Sequence, residues 1–216
     1  ITVYNAGGVY SAPMAEFVLG GILQLYKESK FFAENQAAHR WEKHRGLREL
    51  SGKTACIIGT GSVGSAIARR LRAFDVQTVG INRSGHPAAE FDQTQPTCRL
   101  DDLLPLADLV SCAMPLTAET AGLFDSVRLA KIKPGAVFVN VARGKVTDQQ
   151  ALVEALQSGQ LSGAVLDVFE EEPLPRSSPL WDMEQVILTP HNSFVGEHNG
   201  ERLFRLFCKN LESFAQ

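Results

Sequence analysis

The sequence lacks closely spaced cysteines. It contains four, Cys56, Cys98, Cys112 and Cys208, and no two of them have the Cys-x-x-Cys spacing of zinc ribbons or thioredoxin-like redox sites. Cys56 and Cys112 lie inside apolar runs, which is typical of small buried core residues. We therefore expect no metal site, and we expect a reducing, cytoplasmic environment.

The sequence also lacks a long apolar run and a large excess of charge. No stretch approaches the roughly 18 uninterrupted apolar residues of a membrane-spanning helix, so we expect no membrane insertion. A formal net charge of -3 over 216 residues means that the chain lacks the excess of basic residues typical of nucleic-acid-binding proteins. With 44% hydrophobic and 21% charged residues, the composition is that of a globular protein with ample core.

The most informative stretch is Gly59-Thr60-Gly61-Ser62-Val63-Gly64. The apolar run 53–58 before it is typical of a buried parallel strand, and residues 65–74 after it have apolar residues at helical spacing. In this context the first glycine allows a tight turn, the second lets a pyrophosphate approach the backbone, and the third lets the helix pack on the strand. The helix N-terminus offers unpaired N–H groups to the phosphates. We therefore predict a dinucleotide-binding loop; the alternative is an ordinary tight turn between strand and helix.

Apolar runs and helical patterns alternate along the rest of the chain. We predict strands at 53–58, 76–81, 108–113, 136–141, 161–168 and 186–188, and the end of a strand at 1–4. We predict helices at 13–32, 65–74, 101–106, 120–132, 148–157 and 200–214, with Asp148 capping the fifth. Alternating strands and helices form a parallel sheet with helices on both faces. The predicted fold class is therefore α/β, a doubly wound parallel sheet of the Rossmann type.

The end of the second predicted strand indicates which dinucleotide binds. Proteins that use NAD usually carry Asp or Glu there, roughly 20 residues past the glycines, to grip the ribose hydroxyls. This sequence has Asn82, followed by Arg83 and Ser84. No carboxylate is present to repel a 2′-phosphate, and Arg83 and Ser84 can pair with one. We therefore favour NADP over NAD; alternatively, Arg83 stacks on adenine or points into solvent, and both cofactors are accepted.

Charged residues follow three of the other predicted strands. Arg143 follows the fourth strand, Asp167 and Glu172 come at and just after the end of the fifth, and His191 follows the sixth. Ligands of open α/β sheets bind outside the carboxyl ends of the strands. We therefore expect these side chains to face one cleft.

These residue types suit hydride transfer on a 2-keto or 2-hydroxy acid. A guanidinium such as that of Arg143 can clamp a substrate carboxylate with two hydrogen bonds and polarise the neighbouring carbonyl. An imidazole such as that of His191 can give or take the alcohol proton near neutral pH, and a carboxylate beside it favours the imidazolium. Taken singly, Arg143 could form a salt bridge, Glu172 could belong to a solvated acidic run, and His191 could be a loop histidine. Behind a glycine fingerprint, the combination favours the catalytic interpretation.

Taken together, these segments resemble the D-isomer-specific 2-hydroxyacid dehydrogenases, a family that includes phosphoglycerate, glyoxylate/hydroxypyruvate and D-lactate-type enzymes. The resemblance covers nearly the whole chain. It implies an oxidoreductase with NADP or NAD as cofactor and a small 2-keto or 2-hydroxy acid as substrate, with D-stereospecificity. The matching segments are Ala15-Glu16, the glycine loop, Pro115-Leu116-Thr117 with Thr120-Ala121-Gly122-Leu123, residues 139–144, residues 167–173 and Thr189-Pro190-His191.

The resemblance also implies roles for individual residues. Arg143 resembles the family's substrate-binding Arg, Glu172 the Glu paired with the histidine, and His191 the acid/base. Glu172 is chosen among three adjacent glutamates because it directly precedes Pro173. The implied cofactor contacts are Ser62 and Val63 at the pyrophosphate, Val141 and Ala142 at the nicotinamide ribose, Asp167 at the nicotinamide carboxamide, and also Pro115 and Thr120.

The resemblance further implies a two-domain dehydrogenase of which this chain is the cofactor-binding domain. Family members have a substrate domain before the apolar helix, whereas this sequence begins at Ile1 without that domain or an initiator Met. We expect a piece of a longer protein that binds cofactor but turns over slowly alone, because domain closure orients substrate and excludes water. The expected parts are 1–12, the end of the substrate domain; 13–50, the linking and dimerisation helices of a homodimer; 51–193, the dinucleotide-binding domain; and 194–216, a helix returning toward the substrate domain.

Three other protein classes share part of the pattern. A cofactor-sensing dimeric binding protein, like the C-terminal binding protein corepressors, has the same fold and similar residues, so the sequence leaves this alternative open. A short-chain dehydrogenase would need Tyr-x-x-x-Lys after the glycine loop, whereas Tyr26 and Lys30 precede it. A Rossmann methyltransferase would not need the Arg, Glu and His described above, and would want an acidic residue near Asn82.

Overall fold

The computed structural model describes residues 3–214. Seven parallel strands form one sheet in the order β3-β2-β1-β4-β5-β6-β7. The strands are β1 (Thr54–Ile58), β2 (Gln77–Asn82), β3 (Gln93–Pro96), β4 (Leu109–Cys112), β5 (Ala136–Asn140), β6 (Leu161–Leu166) and β7 (Val186–Leu188). The helices are α1 (Ser11–Tyr26), α2 (Ser29–Ala37), α3 (Ser62–Arg72), α4 (Leu100–Leu103), α5 (Ser126–Lys131), α6 (Gln149–Gln157) and α7 (Asn199–Phe214). Short 3₁₀ segments lie at Thr97–Arg99, Leu104–Leu106, Gly144–Val146 and Pro179–Asp182.

The predicted doubly wound parallel sheet is confirmed. The chain extends the sheet from β1 through β2 to β3, then crosses to β4 on the other side of β1 and continues to β7. Side chains alternate between the faces, so Ala55 and Ile57 of β1 join one buried cluster with α1 and α3. Cys56 and Ile58 join the other, with α5 and α6. The change of direction between β1 and β4 leaves a crevice at the carboxyl ends of these strands, where such sheets bind ligands.

The prediction of one helix over 13–32 is wrong. α1 ends at Tyr26, its last buried residue, and α2 follows after Glu28, whose backbone is left-handed with φ of 49°. The Lys30 ammonium group then donates hydrogen bonds to the backbone carbonyls of Glu184 and Val186 around the start of β7. The turn falls in the polar stretch Lys27-Glu28-Ser29-Lys30, which contains neither Gly nor Pro to mark the end of a helix, and Phe31 and Phe32 follow it.

The prediction of a helix over 120–132 is wrong in its first half. Only the last part is helical, as α5, and its N-cap is Asp125, whose side chain accepts a hydrogen bond from the N–H of Arg128. Before it, Gly122 has φ of 61° and Phe124 pairs with Thr147 in an isolated β-bridge. A glycine in the left-handed region and a capping Asp delay the start of the helix.

β3 was not predicted. It is short and polar and lies at the edge of the sheet, so it has neither the apolar run nor the alternation that identifies a strand. Asp92, just before it, supports its pairing with β2 by accepting hydrogen bonds from the N–H and hydroxyl groups of Thr78. The strand end predicted at 1–4 falls partly on Ile1 and Thr2, which lie outside the described residues; at Val3 and Tyr4 the prediction is wrong, because neither residue pairs in a strand.

The other predicted strands and helices are confirmed to within three residues at each end, once the 3₁₀ turn that continues α4 is included. Asp148 caps α6 as predicted, by accepting a hydrogen bond from the N–H of Ala151. Cys56 and Cys112 are buried as predicted, and burial raises the pKa of the Cys56 thiol to about 12. Between residues 3 and 214, no helix is long and apolar enough to cross a membrane, and no cluster of three or more His, Cys, Asp or Glu is arranged to hold a metal ion.

Candidate active site

The segments that follow β1, β4, β5, β6 and β7 line a cavity of about 480 Å³ beside the change in strand order. It lies where ligands of open α/β sheets bind. Apart from Arg143, Asp167 and His191, the wall is formed mostly by apolar side chains. Its lining residues are Tyr10, Met14, Val63, Ala113, Met114, Pro115, Leu116, Val141, Ala142, Arg143, Asp167, His191, Ser193 and Phe194.

The glycine loop between β1 and α3 has the geometry of a phosphate cradle. A Cβ at Gly59, whose φ is 105°, would lie 2.6 Å from the carbonyl oxygen of Ala113, and a Cβ at Gly64 would lie 1.8 Å from that of Gly59. At Gly61, by contrast, a Cβ would meet no described atom within 4 Å, and no side chain caps the start of α3. The first and third glycines therefore close the turn, and the second leaves open space in front of free N–H groups. These features fit a dinucleotide pyrophosphate.

The end of β2 forms a small loop outside the cavity. Arg83 and Ser84 are exposed at its tip, and the Asn82 amide is bonded to Thr60 of the glycine loop. Arg83 also lies near Glu119, whose pKa is lowered first by the hydrogen bond from the Thr117 hydroxyl and to a smaller extent by the Arg83 charge. The two predicted phosphate-binding side chains are therefore exposed, in a loop that is hydrogen-bonded to the glycine loop.

His191 and Glu172 form a direct pair. The imidazole Nδ1 lies 2.8 Å from Oε2 of Glu172, and Oε1 of Glu172 accepts a hydrogen bond from the N–H of Phe169 at 3.0 Å. Burial acts to raise the pKa of Glu172, but these hydrogen bonds and the positive charges of His191 and Arg143 outweigh it, so the pKa lies below its usual value. The ionised carboxylate can only accept, which places a proton on Nδ1 and leaves Nε2 for chemistry.

Asp167 holds the turn that carries His191. Its carboxylate is buried and accepts hydrogen bonds from the Thr189 hydroxyl (2.5 Å) and from the N–H groups of Asn192 (2.7 Å) and Ser193 (3.0 Å). The backbone carbonyl of Asp167 accepts from the N–H of His191 at 2.8 Å. His191 itself has φ of 52°, an uncommon conformation for a residue other than glycine. Asp167 therefore fixes the orientation of the imidazole, a role that the sequence did not predict.

Arg143 extends from the loop after β5. Its guanidinium donates one hydrogen bond to the carbonyl of Ala142 at 2.6 Å, and it forms no ion pair within residues 3–214. The buried Asn140 side chain holds this loop, because it donates to the carbonyl of Arg143 at 3.1 Å and accepts from the N–H of Ala142 at 3.0 Å. The guanidinium is thus presented to the cavity with its charge available.

Other predicted site residues have different surroundings. The Thr120 hydroxyl donates to the carbonyl of Pro115 at 2.8 Å and accepts from the N–H of Thr117 at 2.7 Å, so it fixes the turn after β4. Ser62 begins α3, outside the cavity lining. The sequence did not single out Phe194, whose ring contacts those of Tyr10 and His191 with centroids 5.8 and 6.2 Å apart. The one feature of the sequence that could have indicated Phe194 is its position three residues after His191.

The sequence and the fold are similar to those of known proteins. A family model described as the NAD-binding domain of D-isomer-specific 2-hydroxyacid dehydrogenases matches residues 19–193. The chain is 38% identical over 218 residues to a glyoxylate reductase of Thermofilum pendens, a match that covers 98% of this chain and 64% of the relative.

Two solved structures are similar over nearly the whole chain. One is a D-isomer-specific 2-hydroxyacid dehydrogenase family protein of Aeromonas salmonicida (TM-score 0.86, 37% identity, 99% of this chain and 67% of that one). The other is an NADPH-dependent glyoxylate/hydroxypyruvate reductase of Sinorhizobium meliloti in complex with NADP and sulfate (TM-score 0.82, 29% identity, 95% of this chain and 66% of that one). The chain therefore spans 64–67% of the length of these three proteins.

Proposed function

This chain belongs to the D-isomer-specific 2-hydroxyacid dehydrogenase family, and on that basis we propose that the protein transfers a hydride between NADP(H) and a small 2-keto or 2-hydroxy acid, with D-stereospecificity. The observation that carries the proposal is the arrangement of three side chains. Arg143 and His191 line one cavity, and Glu172 holds His191 through Nδ1. A cation for the substrate carboxylate and an oriented acid/base therefore face the same space.

The three side chains have distinct roles in the proposed reaction. Val141, Ala142 and Asp167 would line the place of a nicotinamide, which would supply the hydride for reduction or take it up in oxidation. Arg143 binds the substrate carboxylate and polarises the adjacent carbonyl, because its charge has no carboxylate partner among the described residues. His191 gives a proton from Nε2 to the substrate oxygen in reduction and takes one back in oxidation. Glu172 keeps the ring oriented by accepting the hydrogen bond from Nδ1.

Glu172→Gln in the intact protein should lower kcat/KM near neutral pH and remove the part of its acidic fall that comes from Glu172. In wild type the pKa of Glu172 lies below its usual value, so the carboxylate that orients His191 is charged at neutral pH and is neutralised only as the pH falls through the lowered pKa. The amide of Gln is neutral at every pH, so this loss should not occur in the variant. The pH profile of kcat/KM measures the difference, and a profile that coincides with wild type would contradict the assigned pairing.

We propose NADP as the cofactor, with NAD as the alternative. The open space at Gly61 and the free N–H groups of Ser62 and Val63 fit the pyrophosphate, and Val141, Ala142 and Asp167 line the cavity where the nicotinamide would lie. The exposed Arg83 and Ser84 at the end of β2 support recognition of a 2′-phosphate, since no carboxylate occupies the position that grips a ribose in NAD enzymes. The similar Sinorhizobium protein is described in complex with NADP.

Arg83→Ala should weaken NADPH binding by about 10-fold or more and leave NADH binding unchanged, because only NADPH carries the phosphate with which Arg83 pairs. Fluorescence titration gives both Kd values. Arg69→Ala is the matched control, because Arg69 is an exposed α3 residue that lies 3.9 Å from Glu90. Equal effects of Arg83→Ala on the Kd values of the two cofactors would show that Arg83 does not bind the 2′-phosphate.

We further propose that a substrate domain and a second copy of the chain complete the protein, with the domain limits 1–12, 13–50, 51–193 and 194–216 given above. Trp41 is 96% exposed on the irregular segment after α2, and α7 exposes Leu203, Phe207 and Leu211. These apolar surfaces support the assignment of 13–50 to a homodimer interface and of α7 to contact with the substrate domain. A cytoplasmic location stays a prediction.

Sedimentation equilibrium of the intact protein should give twice the mass of one chain, because the segment 13–50 would be covered by its counterpart. Trp41→Glu should shift the distribution toward the monomer, since it places a charge in the proposed interface. Trp181→Glu, at another exposed tryptophan, serves as the control. A wild-type protein with the mass of a single chain would contradict the homodimer.

A further inference from the structure

The Asn82 side chain has all of its hydrogen-bonding positions filled within the chain. Its Nδ2 donates to the Thr60 hydroxyl oxygen at 3.1 Å and to the carbonyl oxygen of His86 at 2.9 Å. Its Oδ1 accepts from the N–H groups of Gly85 at 2.7 Å and His86 at 3.1 Å. A primary amide offers two donors and two acceptor positions, and all four are used here. The Asn82 side chain therefore has no polar atom left to form a hydrogen bond with a ribose.

The loop that Asn82 closes, residues 82–86, is also held from the side of β3. Gly85 has φ of 73°, and a Cβ there would lie 2.8 Å from Cδ of Pro96. The hydroxyl of Thr97 donates to the backbone carbonyl of Asn82 at 3.2 Å. The loop thus sits between β3 and the glycine loop, and its exposed tip consists of Arg83 and Ser84.

An acidic residue would not fit at position 82 in this loop. One carboxylate oxygen of an Asp could keep the bonds from the N–H groups of Gly85 and His86. The other would replace Nδ2 and face the carbonyl oxygen of His86, now 2.9 Å away, with no proton between them. Two acceptors at that distance repel each other, so the loop would open. Opening it would also release Thr60, which belongs to the glycine loop.

We propose that Asn82 is a positioning residue for cofactor selection: its amide closes residues 82–86 so that Arg83 and Ser84 face the 2′ position of the adenosine ribose. This inference rests on the proposed use of NADP. The preference for one cofactor then depends on the conformation of residues 82–86 together and not on the residue at position 82 alone. The substitution that would restore the usual acidic NAD pattern, Asn82→Asp, opens the loop instead of converting the protein to NAD.

Cofactor titrations of the intact protein test this inference without any measurement of activity. Asn82→Asp and Asn82→Ala should each weaken NADPH binding by about 10-fold, and neither should bind NADH more tightly than wild type does. Asn82→Ser keeps an acceptor for the N–H of Gly85 and should lie between Asn82→Ala and wild type. Amide hydrogen exchange without cofactor should be faster at Gly85 and His86 in Asn82→Ala, with thermal unfolding as a check that each variant is folded.

Three outcomes decide the matter. An Asn82→Asp protein that binds NADH about 10-fold more tightly than wild type would overturn the proposal, because the loop would then accept an acid. Folded Asn82→Ala with unchanged NADPH binding and unchanged exchange at Gly85 would overturn it as well. If Arg83→Ala leaves NADPH binding unchanged while Asn82→Ala weakens both cofactors and speeds exchange, the assignment of NADP and the selection of cofactor through Arg83 are wrong, and only the closure of residues 82–86 by the Asn82 amide is supported.

Discussion

His191→Gln should lower kcat for 2-keto acid reduction by about 10²–10⁴-fold, the usual contribution of a positioned general acid, and leave the Kd of NADPH unchanged. The reason is the geometry of the pair: Nδ1 is occupied by Glu172, so Nε2 is the atom that can deliver the proton. Gln is similar in size to His and fits in the turn that Asp167 holds. Its amide, however, cannot supply a proton near neutral pH. Steady-state kinetics with NADPH and a 2-keto acid measures the loss.

His198→Gln is the matched control for this experiment. His198 is exposed beside Glu197 and Glu201 at the start of α7 and does not line the cavity. Its replacement should leave kcat unchanged. If His191→Gln retained the rate of His198→Gln, the proton would have to come from another group, and the assignment of His191 would be wrong.

Arg143→Ala should lower kcat/KM for 2-keto acids by about 10²–10⁴-fold, because it removes two charge-assisted hydrogen bonds worth about 1.5–3 kcal/mol each. Part of the loss should appear as a raised KM, from the lost carboxylate clamp, and part as a lowered kcat, from the lost polarisation of the carbonyl. The fold should tolerate the change, because the side chain bonds only the carbonyl of Ala142 among the described residues.

Arg143→Lys separates charge from geometry. A lysine keeps the charge but offers no planar pair of donors, so kcat/KM should fall between those of wild type and Arg143→Ala. Arg176→Ala, an exposed arginine on the loop after Glu172, is the control and should behave like wild type. An Arg143→Ala protein with the kinetics of this control would contradict the proposed carboxylate clamp.

The fold could be predicted where local pattern and final structure agree. The apolar run of β1, the glycines and the helical spacing of α3 each point to the same strand–turn–helix unit, and the structure contains it. β3 was not predicted because it is short and polar and lies at the edge of the sheet, where hydrogen bonds from Thr78 to Asp92 accompany its pairing with β2. The break at Glu28 was not predicted because the polar stretch around it contains no Gly or Pro, and Glu28 itself adopts the left-handed conformation.

The candidate site was predictable in its residue types but not in its internal support. Arg143, Glu172 and His191 were singled out by their positions after strands and by the resemblance to a family. The sequence could not show that Asp167 accepts hydrogen bonds from residues about 25 positions later. It also could not show that the amide of Asn82 is fully used within its own loop. Such contacts join residues whose proximity only the folded chain creates.

The most direct test of hydride transfer at this site is NADPH oxidation by the intact protein with a panel of glyoxylate, hydroxypyruvate and bulkier 2-keto acids, run in parallel with His191→Gln. We predict that at least one acid is reduced about 10² times faster by wild type than by the variant, and that any chiral product is the D-isomer. Rates no higher than those of His191→Gln across the whole panel, with NADPH still bound, would contradict catalysis here and favour a cofactor-sensing binding protein.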